Sequence, residues 1–85
     1  MTFDGAVLQE QGVTFAIAVV RRGVLSSNAQ REESLGQFHA FFGGIPVVLM
    51  EQDAAGVPTW FGRPDLTRFL AKVQVGSIPW QRYTV

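Results

Sequence analysis

Glu51 and Asp53 stand two residues apart, just after the apolar run Ile45-Pro46-Val47-Val48-Leu49-Met50. Paired carboxylates at the end of an interior strand suit a cation or acid and base chemistry, because α/β sheets hold ligands in crevices beyond their strand ends. The same spacing suits a polar turn in which Asp53 binds its own backbone through an Asx-type bond. Trp60, Arg63 and Asp65 gather around Gly62 where a helix should begin. Free amides and a guanidinium at such a place attract an anion, although Asp65 would repel it or pair with Arg63 instead. His39 is the only histidine. A general base needs a partner within reach, and no serine or acid is set beside His39 by spacing. A metal needs several converging ligands, and one histidine with scattered acids does not supply them. Arg21-Arg22, with Arg82 and Trp80, forms the kind of basic aromatic set that stacks on single-stranded nucleic acid. Two adjacent arginines leaving a strand are more simply solvated.

Composition narrows these options. The chain has 85 residues and is 47% hydrophobic, enough for one domain with a single core and no need of disulfide or structural metal. Seven Lys and Arg balance seven Asp and Glu, so there is no net charge to gather polyphosphate or anionic lipid around the molecule. Nucleic acid and membrane are not expected as partners. Cysteine is absent, which excludes thiolate nucleophiles, thiol redox chemistry and zinc held by cysteine. No positively charged segment leads into an apolar one near Met1, and the longest apolar run is far short of the about 20 residues that span a bilayer. A bacterial cytoplasmic protein is the default expectation.

The elements that must position these residues follow from hydrophobic spacing. Val13 to Val20 carries one polar side chain, Thr14, in eight positions, and so reads as a strand covered on both faces at the centre of a sheet. Gly5 to Gln9 precedes it across Glu10-Gln11-Gly12, which predicts a hairpin. Asp4, Gln9 and Glu10 predict that this first strand lies at an edge. Ser27, with Gln30 three residues on, predicts a helix N-cap. Leu35, Phe38 and Phe42 then recur at i, i+3 and i+7 with Phe41 alongside, and Gly43-Gly44 predicts the stop. Gly36 within this helix costs about 1 kcal/mol relative to alanine, and a close approach of backbone to sheet would explain its presence. Ile45 to Met50 predicts a second interior strand with Pro46 at its start. Val57 to Phe61 returns from it, with Pro58 marking an open edge. Pro64 and Asp65 open a second helix, whose Leu66, Phe69, Leu70 and Val73 fall on one face. Trp80 to Val85 alternates as an edge strand, in its own sheet or a neighbour's.

Gly44-Ile45-Pro46-Val47-Val48-Leu49-Met50, a turn ending at Gly56, a strand, Gly62 and a helix carrying Arg68-Phe69-Leu70 together resemble the C-terminal half of thioredoxin-like domains. That half places a glycine, an apolar residue and a cis-proline before a hairpin and a closing helix. The resemblance covers about a third of the chain. It implies a fold and a cis bond at Pro46, but no oxidoreductase, because the paired cysteines are missing. The N-terminal hairpin also departs from that family.

The sequence therefore predicts an α+β (α/β sandwich) domain over residues 1–85: a single mixed sheet of 4–5 strands with two helices, in the order ββαββαβ. The expected function is non-catalytic, an interaction or self-association module that uses an exposed strand edge. Trp80, Arg82 and Tyr83 are its candidate interface, with Trp60 as a further aromatic anchor. The alternative is a small-molecule or anion binder, or a weak enzyme, built around Glu51, Asp53, Trp60 and Arg63. No catalytic residue, cofactor or metal ligand set is assigned, and the partner expected is a protein or a second copy.

Overall fold

In a computed structural model describing all 85 residues, Thr2–Glu10 (β1) and Val13–Val19 (β2) form an antiparallel hairpin. Its two-residue turn is left-handed at both positions, Gln11 (φ 51°) and Gly12 (φ 79°), which matches the twist of paired strands. The chain then crosses through Asn28–Phe41 (α1) into Val47–Gln52 (β3), parallel to β2, and turns back as Pro58–Phe61 (β4). Pro64–Leu70 (α2) and a single 3₁₀ turn at Val75–Ser77 lead to Gln81–Thr84 (β5). One mixed sheet results, ordered β4-β3-β2-β1-β5. The order ββαββαβ is as the sequence predicts.

β2 is the middle strand, and its alternation feeds two cores. Phe15 and Ile17 point to one face, with Ala6, Val48, Met50, Leu66, Leu70 and Ile78. Ala16 and Ala18 point to the other, with Phe3, Phe38, Val47 and Leu49. α2 and the 3₁₀ turn cover the first face, and α1 covers the second. The two faces are filled differently. Where β2 offers only methyl groups, rings come from elsewhere: Phe38 of α1, Phe42 at its C-cap, Phe3 of β1 and Tyr83 of β5. Each large apolar side chain buried in this way contributes about 1.5–3 kcal/mol, so these fillings outweigh any single surface contact.

Helix boundaries follow local chemistry. Ser27 Oγ accepts from the Gln30 amide at 3.3 Å, the predicted N-cap. At the other end Gly43 (φ 74°) takes the left-handed position, while the Gly43 and Gly44 amides donate to Ala40 and His39 carbonyls. That paired closure is a Schellman ending. α2 begins at Pro64, where the missing donor has no cost.

Four expectations are corrected. β1 is not an edge: β5 pairs along it antiparallel, with Phe3 opposite Tyr83 and Asp4 opposite Arg82. The charge that looked like edge protection is instead matched across the strands, Arg82 Nε donating to Asp4 Oδ1 at 2.7 Å. The peptide bond preceding Pro46 is trans, since the chain contains no cis bond, and β3 begins only at Val47. Finally, a Cβ built on Gly36 meets nothing within 4 Å. That glycine lines an open groove rather than a tight crossing. The true close approaches are Gly5, whose added Cβ would lie 2.7 Å from the Ile17 carbonyl oxygen, and Gly62, 3.0 Å from a Val48 methyl.

Candidate functional site

The crevice beyond the ends of the parallel strands β2 and β3 is filled by the chain itself. Glu51 Oε1 accepts the amides of Gly23 at 2.8 Å and Leu25 at 3.2 Å, tying the loop between β2 and α1 over that end of the sheet. Arg31 holds the same loop from the helix side. Its Nη1 donates to the Leu25 carbonyl, its Nη2 to Asn28 Oδ1 at 2.7 Å, and its guanidinium lies 4.4 Å from the centre of the Phe61 ring. Arg31 had no signal in the sequence, because an arginine early in an amphipathic helix reads as solvated. Asp53 Oδ1 accepts the Ala55 and Val57 amides, both at 2.9 Å, as an Asx turn does. Both carboxylates of the proposed pair are thus engaged by backbone.

Trp60 and Arg63 lie on opposite sides of the sheet. Trp60 packs against the core under α2. Arg63 reaches the α1 side, at the far end of β3 from Glu51, where it borders a shallow, open groove of about 530 Å³ with Glu32, Gly36, His39 and Pro46. Glu51, Asp53, Trp60 and Arg63 therefore do not converge. The groove brings the only histidine near a guanidinium, yet Arg63 Nε and Nη2 bind Asp65 Oδ1 and Oδ2 at 3.0 and 2.7 Å. Those hydrogen bonds hold the Asp65 carboxyl below the usual carboxylate range and raise Arg63 above its own. The fork that would grip an anion grips Asp65. The groove could have been sought from Glu32, Gly36 and His39, one stripe along α1 with a glycine in its middle, but Arg63 belongs to a distant part of the chain. No group of three or more His, Asp or Glu side chains is placed to hold a metal ion.

The strand edges are the remaining surface. In β5, Trp80 at its threshold is half-buried and donates Nε1–H to the Val75 carbonyl at 2.9 Å. Tyr83 is half-buried in a five-ring cluster, stacked 5.3 Å from Phe3 and edge-on to Phe41 and Phe42. Arg82 is exposed and held by Asp4. Backbone parity decides which groups stay open. Val85 and Met1 exchange hydrogen bonds, so the alternation of an antiparallel ladder directs Gln81 and Tyr83 to β1 and leaves the N–H and C=O of Arg82 and Thr84 facing outward. At the opposite edge, the Asp53 amide bonds the Val57 carbonyl. The same parity turns Pro58 outward in β4, and proline has no N–H to give. One edge is blunted and the other is intact.

No helix is long and apolar enough to cross a membrane. Comparison with protein-family models, with curated proteins and with solved structures found no match.

Proposed function

We propose that this chain is a non-catalytic interaction module that works by strand pairing at the β5 edge. The observation that carries the reading is the open row of backbone donors and acceptors at Arg82 and Thr84, beside the half-exposed Phe41 and the Tyr83 ring. Unpaired edges are templates for another strand, and aromatic and arginine side chains carry interface energy. Trp80 and Tyr83 serve this edge by anchoring β5 to its own sheet, while the backbone does the pairing. The alternative, a small-molecule or anion binder, has less support, because Glu51, Asp53 and Arg63 are already engaged within the chain.

The test is Thr84→Pro, which removes an outward N–H without touching the bonds to β1. Amide spectra of the labelled protein are recorded on titration with a capped hexapeptide copying residues 80–85 and with an unrelated peptide of alternating pattern. Shifts centred on Arg82, Tyr83 and Thr84 that Thr84→Pro abolishes are expected. Shifts centred on His39 and Arg63, or none anywhere, would overturn the reading.

A further inference from the structure

We infer that the strand completing this edge is the β5 of a second copy, antiparallel across a two-fold axis that passes beside Tyr83. The inference rests on the strand-pairing reading and names its partner. In an antiparallel pair, outward groups must meet outward groups, which leaves three registers for a two-fold pairing of β5 with itself. Arg82 opposite Arg82 sets like charges face to face and makes Thr84 meet Trp80, whose amide is already bonded to the Ile78 carbonyl. Thr84 opposite Thr84 sets Arg82 past the Gln81–Thr84 span of the partner's β5, so only one open residue of each strand is paired. Arg82 opposite Thr84 engages all the open groups of both copies at once.

Side chains agree with that third register. Like charges are no longer directly opposite, and each Arg82 keeps its own Asp4 carboxylate at 2.7 Å to offset the diagonal approach of the other. Tyr83 falls opposite Tyr83 at a non-hydrogen-bonded position, where cross-strand side chains come closest. Phe41, 39% exposed and 5.7 Å from the Tyr83 ring, sits on the same face and borders that contact. Ten strands would run continuously, with both α1 helices on one side.

Because the chain contains no cysteine, single thiols can read the register. At the pairing proposed, Cα atoms of residues 82 and 84 of opposite copies are about 5.5 Å apart, inside the range a disulfide spans, whereas 82 to 82 and 84 to 84 are diagonal at about 7–8 Å or more. Arg82→Cys and Thr84→Cys are each oxidised mildly alone and then mixed. The mixture is expected to form the 82–84 disulfide at least tenfold faster than either variant alone, and the wild-type chain to scatter light as a dimer. Neither substitution enters the aromatic cluster, and circular dichroism checks the fold. Equal rates in the mixture and the separate samples, or a wild-type monomer at millimolar concentration, would overturn the second-copy inference. Peptide shifts at β5 that Thr84→Pro abolishes would leave the strand-pairing reading standing in either case.

Discussion

Glu51 shows how one carboxylate can look catalytic in a sequence and be architectural in the fold. Its two amide partners, Gly23 and Leu25, belong to a loop with no regular structure of its own. Hydrogen bonds to a charged acceptor contribute about 1.5–3 kcal/mol when they are not water-exposed. Gly23 is exposed, so the expected cost of Glu51→Ala is about 1–2 kcal/mol, read as a lower urea midpoint with unchanged slope. Glu51→Gln should retain part of that stability, since the amide oxygen still accepts. A carboxylate kept for a ligand behaves in the opposite way, its removal leaving stability the same or higher. Asp53 was legible as a turn because an Asx bond reaches only a few residues along the chain. Glu51 was not, because its partners lie in another part of the sequence and no local pattern announces them.

Two glycines that look equivalent in the sequence behave oppositely within their elements. Gly5 lies in β1 with the Ile17 carbonyl oxygen beneath it and the Phe3 and Tyr83 rings each 3.2 Å from a would-be Cβ. The rings cover the bare backbone, and a methyl group has nowhere to go. Gly36 lies in α1 over open space. Gly5→Ala is therefore expected to destabilise by about 1–3 kcal/mol through overpacking, and Gly36→Ala to stabilise by up to about 1 kcal/mol through helix propensity. Thermal melts of the two variants should move in opposite directions. Elements with a strong internal period were legible: Leu66, Phe69 and Leu70 mark α2, and Val13 to Val20 marks the central strand. Partner choice among strands was not. Asp4 in β1 has the same identity whether it faces water at an edge or Arg82 across a ladder, and only the return of the distant β5 decides between them.

At the scale of the molecule, the sheet ends in two unlike borders, and pairing at the intact one would change the unit that unfolds. If β5 joins β5 of a second copy, unfolding releases two chains and its midpoint depends on concentration. Raising the protein concentration a hundredfold should raise the urea or thermal midpoint measurably in the wild type and leave that of Thr84→Pro unmoved. A midpoint constant over that range in the wild type would show that the folded unit is one chain.

The division of side chains between the two faces also decides what a spectrometer can see. Both indoles, Trp60 and Trp80, belong to the layer beneath α2, whereas the aromatic side chains of the layer beneath α1 are the single tyrosine and phenylalanines. Tryptophan emission thus monitors one half of the interior. Loosening of the helix on the opposite side would pass without a change in that signal, and the phenol of Tyr83 is the native chromophore placed to record it.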